Sequence, residues 1–202
     1  MSGSFKQFQQ QMREQYAEQP EMMITHCQSW VDSVIVRMNI CPFAKAEVAS
    51  QRVNYVVAKP DNTEQYLAQL LRHCQQLDQQ PEIATTLMLF SDPFLTFADY
   101  LDLVTQAEDV LYHEGYEGVY QLASFHPDYC FADSNEQDAA NFTNKAPYPI
   151  LHLIREGDIT KALANFLRPE QIPERNIEYT RRKGLSQMQD VLRACYDAPQ
   201  KK

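Results

Sequence analysis

No apolar run in the sequence approaches the length of a membrane span, so no segment is expected to cross a bilayer as a helix. The stretch from Met1 to Met22 is rich in Gln and charge and lacks the apolar centre of a secretory signal. A cytoplasmic protein is the expectation. Basic residues are in deficit: 18 Lys and Arg against 27 Asp and Glu give a net charge of −9. That balance argues against nucleic acid, whose binding needs a basic surface to release counterions. It equally disfavours docking on anionic lipid. A local basic pocket for an anionic small molecule stays compatible with it. Disulfides are not expected either. Cys27, Cys41, Cys74, Cys130 and Cys195 are odd in number, scattered and without a CxxC pair, which reads as free thiols in a reducing compartment. Missing too are a Gly-rich phosphate loop, HExxH, GxSxG and any ligand pair at zinc-finger spacing. Glycine is scarce at 5 residues while 44% of the chain is hydrophobic, a globular rather than a disordered or fibrous composition.

What is present alternates helix and strand signals. Residues 1–20 form a polar lead-in ending at Pro20, and residues 21–196 read as a single globular domain. Between Glu21 and Met38, Ile24, Cys27, Val31, Val34, Ile35 and Met38 recur at helical spacing. Asn39 is a fitting helix stop, since Asn tolerates the left-handed conformation. Pro42, favoured at a first helical position, would make Cys41 the N-cap of a short helix through Val48. Strand patterns follow at 52–59, 85–90, 119–125 and 149–154, and helical ones at 63–77, 96–113, 157–167 and 174–196, the last weakened at Gly184. The tetrapeptide Pro60 to Thr63 stops the first strand and caps the next helix. Alternation of this kind predicts an α/β (α+β) fold. The favoured form is a two-layer sandwich with a four-stranded mixed sheet and helices, with a three-layer doubly wound sheet as the alternative.

Chemistry gathers in and around the stretch Tyr120–Glu156. Cys41, expected at a helix N-terminus, is the one thiol with a local reason to ionise. His126, held extended by Pro127, ends the third strand, and strand ends are where α/β sheets bind ligands. Alternation places Leu122, Ser124 and His126 on one face and Ala123 and Phe125 on the other. The loop 127–147 is long for a compact domain, which is a mark of function or disorder. Its aromatics, Tyr129, Phe131 and Phe142, with Tyr148 just beyond, argue against disorder. His152 shares a face with Ile150 and Ile154, and Arg155 closes the last strand with a fork of donors suited to carboxylate or phosphate.

Four stretches together, Asn39–Ala44, Tyr120–Pro127, Asn141–Asn144 and Ala146–Glu156, resemble the family of proteins of unknown function designated DUF1415, over about residues 22–190. Family members often carry Arg-Ser where this chain has Lys145-Ala146. The resemblance implies no activity and brings no catalytic residues with it.

Three functional expectations follow. The first is a small-molecule enzyme acting on an anionic substrate, with Cys41 as nucleophile or redox thiol, His126 as general base or acid, and Arg155, Asn144, Tyr148 and His152 binding substrate. The second is a metal site built from Cys41, His126 and His152, with Asp128 near, of a kind suited to Zn or Fe. The third is a non-catalytic module that binds a small ligand with the 127–148 loop. Sequence names neither a cofactor nor an oligomeric state. Both of the first two require Cys41, His126, His152 and Arg155 to converge in one cleft.

Overall fold

The structure, a computed structural model, describes residues 4–59, 62–164 and 166–199. The polar lead-in folds as helix α1 (Phe5–Tyr16), opened by a capping box between Ser4 and Gln7. Helix α2 (Pro20–Trp30) begins with proline in its first turn and widens into a π-helical turn, Val31–Val36. Asn39 then takes the left-handed conformation, φ 55°, and stops the run as its side chain suggests.

The next segment departs from expectation. Helix α3 spans Ala44–Ala49 with Phe43 as its N-cap, so Cys41 lies in the preceding turn. Tertiary contacts decide this. The Asn176 amide donates to Ile40 O at 2.7 Å and Arg175 donates to Asn39 O, which fastens the turn to a distant helix and delays helix initiation.

Strand β1 (Val53–Ala58), helix α4 (Thr63–Gln79), strand β2 (Thr85–Phe90), helix α5 (Phe97–His113) and strand β3 (Tyr120–Phe125) follow. Asn62 caps α4 by accepting the Gln65 N–H, and Thr96 caps α5 through Asp99. Pro60 and Asp61, expected to help end β1 and cap the next helix, lie outside the described residues. After the loop, strand β4 (Ile150–Arg155) runs directly into helix α6 (Glu156–Leu163), and helices α7 (Ile172–Lys183) and α8 (Leu185–Ala194) end the fold. Gly184, at φ 83°, divides the expected 174–196 helix in two, because only glycine enters that region freely.

The sheet has the order β1-β2-β4-β3. β1 pairs parallel with β2, while β4 is antiparallel to both β2 and β3. It follows that β1, β2 and β3 point the same way and share one carboxyl edge. Ala58, Phe90 and Phe125 end there, and Ile150 begins β4 there. The α+β class and the four-stranded mixed sheet are as the alternation predicts.

Two apolar cores flank the sheet. On one face Leu87, Leu89 and Ile150 pack with Met23, Cys27 and Trp30 of α2 and with Met188 and Leu192 of α8. On the other, Met88, Phe90, Leu151 and Leu153 meet Leu70, Cys74 and Leu77 of α4 and Tyr100 and Ala107 of α5. Helices therefore cover both faces, one layer more than the favoured two-layer arrangement. The physical reason lies in β2, whose TTLMLF run is buried at every residue; a strand apolar on both sides needs cover on both sides.

Leu151 is fully buried in a central strand. Leu151→Ala is expected to lower stability by about 2–5 kcal/mol through lost transfer energy and a residual cavity, read as a shift of the urea midpoint at constant slope.

Candidate functional site

The carboxyl edge is where the loop 126–149 and helix α1 meet. Asn141, fully buried, organises the loop. Its carbonyl oxygen accepts from Phe131 N–H at 3.0 Å and from the Ser134 hydroxyl at 2.8 Å, and its amide nitrogen donates to Asn135 O at 2.8 Å. Two further ties hold the loop to the body. Trp30 Nε1–H donates to Lys145 O at 3.1 Å, and Arg181 grips the Asp138 carboxylate with two nitrogens. The segment is ordered because its backbone and polar side chains are satisfied from within.

Helix α1 lies against this loop. Phe5, Phe8, Met12 and Tyr16 pack on the adjacent core. The same helix buries two polar side chains, Gln9 and Arg13, at 2% and 6% exposure. Arg13 is poorly served there. One guanidinium nitrogen meets Gln10 and lies 3.7 Å from Asp128, while Nε and Nη1 are buried with no hydrogen-bond partner. Good charge-assisted bonds are nearly 1 Å shorter than that Asp128 contact. Lys6 reaches the same carboxylate at 3.8 Å. Lys145 is buried, and its ammonium stands 5.7 Å from the Phe142 ring centroid with no ion pair found among the described residues. Burial lowers its pKa, against the pull of Asp128, Cys130 and Glu136. Lys6 and Arg13 therefore share one carboxylate at long range, while the buried Lys145 feels Asp128 and Glu136 without an ion pair among the described residues.

Tyr16 of α1 joins a ring cluster. His26 Nδ1 is 2.8 Å from the Tyr148 hydroxyl, and the two rings are nearly parallel, at an interplanar angle of 9°. Tyr16 and Tyr196 meet His26 edge-on. Arg13 is close enough to oppose the burial that raises the Tyr196 phenol. His26 Nε2 and Gln9 Nε2 are also buried without a partner. Five buried side-chain atoms lack a partner among the described residues, and four of them belong to Gln9, Arg13 and His26. Native proteins seldom leave such groups unpaired without a reason.

The residues singled out from sequence are dispersed. His126 ends β3 at this edge, fully buried between Phe97 and Tyr100. Its Nδ1 accepts the Asp128 N–H at 3.0 Å, and its Nε2–H points to Leu95 O at 3.2 Å. Both ring nitrogens are used, which leaves no lone pair for the Cys41 thiol. Burial drops its pKa to about 4, with Arg13 and Lys145 adding to that effect.

His152 sits on the opposite face of the sheet, opposite Ala123 in the strand register. Its Nε2 is 2.6 Å from the Thr85 hydroxyl, which itself donates to Leu153 O. Arg155 pairs with Tyr120 at the far end of β3, roughly 20 Å from His126 at about 3.3 Å per strand residue. There it donates to Leu77 O at 2.6 Å, Gln80 O at 3.3 Å and Ile83 O at 2.8 Å, closing the carboxyl end of α4. Cys41 is half-buried against the α2 core.

The single cleft is therefore not formed: sheet and strand length separate its members. Among the described residues no three His, Cys, Asp or Glu side chains gather closely enough to hold a metal, and the trio Cys41, His126 and His152 is split between two faces. Asn144 and Tyr148 do reach the carboxyl edge. The Asn144 carbonyl accepts His126 N–H at 3.2 Å and its amide donates to Ser124 O at 3.3 Å, while Tyr148 is buried with its hydroxyl against His26 Nδ1.

Sequence reasoning passed over Gln9, Arg13 and His26. One signal for α1 was available, since Phe5, Phe8, Met12 and Tyr16 recur at helical spacing and mark a helix with a face to bury. Among the described residues no helix is long and apolar enough to cross a membrane. A sequence model of the DUF1415 family, described as proteins of unknown function, matches residues 22–190. No curated protein and no solved structure matches the chain significantly.

Two outcomes are expected from this geometry. Arg155→Met should cost about 2–4 kcal/mol by orphaning the α4 carbonyls, a mechanism separate from ligand binding, and should appear as a lower melting temperature. Burial holds His26, His126 and His152 each near 4, down from 6.5. Below pH 6.5 the unfolded chain takes up protons that the folded one refuses until about pH 4. Stability is therefore full above 6.5 and falls as the pH drops towards 4. Urea midpoints at about pH 7 and about pH 5 check this, and equal midpoints would contradict it.

Proposed function

The chain belongs to the DUF1415 family, and we propose that this member binds a small anionic molecule at the carboxyl edge of its sheet, between Arg13 of α1 and Lys145 of the loop. One observation carries the proposal. A guanidinium 6% exposed keeps Nε and Nη1 without acceptors, and a buried charge in that condition destabilises the protein that holds it. Its nearest carboxylate, Asp128, is 3.7 Å away and shared with Lys6. An oxyanion would supply the missing acceptors for Arg13 and a counter-charge for Lys145.

The position has support from topology, because open α/β sheets bind ligands beyond the carboxyl ends of parallel strands. Aromatic rings stand near both cations, Phe142 with its centroid 5.7 Å from the Lys145 ammonium and Tyr196 close enough to feel the Arg13 charge, as is common at small-molecule sites. His26 Nε2 offers a further polar contact. Asn144 and Tyr148 keep supporting parts in this reading, one holding His126 and the loop, the other orienting His26. No bond-making step is assigned. Nothing in the arrangement favours thiol or metal chemistry over simple binding.

Calorimetric titration with inorganic phosphate, sulfate and citrate tests the proposal on the wild type and on Arg13→Met. Wild type should bind at least one of the three, and the variant should bind it about 10- to 100-fold more weakly, as loss of a charged hydrogen-bonding partner implies. Without ligand the variant should be as stable as wild type or more so, because it removes an underpaired buried charge. A variant that loses stability and leaves anion affinity unchanged would make Arg13 a structural residue.

A further inference from the structure

We propose that helix α1 is a lid, which lifts to admit the anion and closes Arg13 onto it. The inference rests on the binding site argued above and adds how that site is reached. Arg13 is both a ligand-contacting group and a part of the cover, so the ligand cannot take its place while α1 stays down.

The helix is built to move as a unit. Its backbone pairs with no strand, and its first turn is closed by its own box, Ser4 N–H to Gln7 Oε1 at 2.7 Å and Gln7 N–H to Ser4 Oγ at 3.2 Å. Lifting it breaks no sheet hydrogen bond. The family match begins at residue 22, after α1 has ended. A short turn joins the two. Gln19 leaves helical geometry at φ −124°, ψ 73°, and Pro20 opens α2, giving a hinge at the carboxyl end of the lid.

The closed position is held by side-chain contacts at separate points. Glu18, beside the hinge, pairs with Lys59 just past the end of β1. In the middle, Gln10 donates to Pro93 O past the end of β2 at 3.1 Å. At the far end Arg193 of α8 lies over the rings of Phe5 and Phe8, at 5.2 and 4.7 Å. The lid thus spans the carboxyl edge, touching the segments that follow β1, β2 and, through Asp128, β3. Its polar latches are partly exposed, and such contacts exchange readily with water. The apolar face of Phe5, Phe8, Met12 and Tyr16 makes closure the resting state.

Hydrogen exchange and binding kinetics on the full chain, with inorganic phosphate as the probe, test the lid. If phosphate binds only beneath the closed lid, α1 amides should exchange about 100-fold more slowly at a phosphate concentration near 100 times its Kd. Amides of α4 and α5 should change far less. Glu18→Gln loosens a latch without touching the site. It should speed α1 exchange several-fold and speed phosphate association by a similar factor, followed by the fluorescence of Trp30, whose indole bonds Lys145 O. Calorimetric binding of phosphate with unchanged α1 exchange and an unchanged association rate would overturn the lid and leave the binding site standing. No calorimetric binding of phosphate, sulfate or citrate would overturn the site, and the lid with it.

Discussion

A sheet buried on both faces leaves only its ends for polar chemistry, and that constraint shapes the rest of this protein. Leu87 and Leu89 face one core while Met88 and Phe90 face the other, so neither face of β2 is open to a ligand. Polar side chains that arise on the strands must be satisfied in place. His152 does so through Thr85, Asn54 donates to Thr86, and Tyr100 reaches across to Ile150 O. A histidine in such surroundings stays neutral and serves packing and hydrogen bonding.

The carboxyl edge is the exception because a loop and a helix, rather than another layer of strands and helices, close it. There the satisfaction of polar groups is uneven. Asn141 uses both ends of its amide and His126 both of its nitrogens. On helices α1 and α2, by contrast, Arg13 and His26 keep unpartnered atoms. The contrast matters more than either fact alone. A fold that pairs its loop so thoroughly leaves few gaps through loose packing, yet four of the five unpartnered buried atoms among the described residues belong to Gln9, Arg13 and His26, and the proposed site rests on that grouping. Tension between stability and function is expected at such places.

Several features were legible in the residues themselves. Alternating and continuous apolar runs located the strands to within a residue or so, and Asn39 and Gly184 acted as helix breakers because each tolerates a positive φ. The loop 127–147 was recognisable as ordered from its aromatics. The cap at Cys41 was not legible, since residues 39–41 are fixed by Arg175 and Asn176 from far along the chain. Arg13 was hidden for a related reason. In sequence it is one charge in a polar segment, and only the docking of α1 removes it from water.

By itself the sequence determined the local facts: which segments alternate, where helices stop, and that His126 and Ala123 lie on opposite faces of their own strand. Tertiary structure alone decided how one strand's faces map onto another's. Antiparallel pairing sets Ala123 opposite His152, which puts the two histidines on opposite sides of the sheet and Arg155 at its far end. Periodicity is a property of one strand, fixed by covalent geometry. Register and direction between strands are set by packing free energy summed over the whole chain, and no short stretch of residues contains that sum.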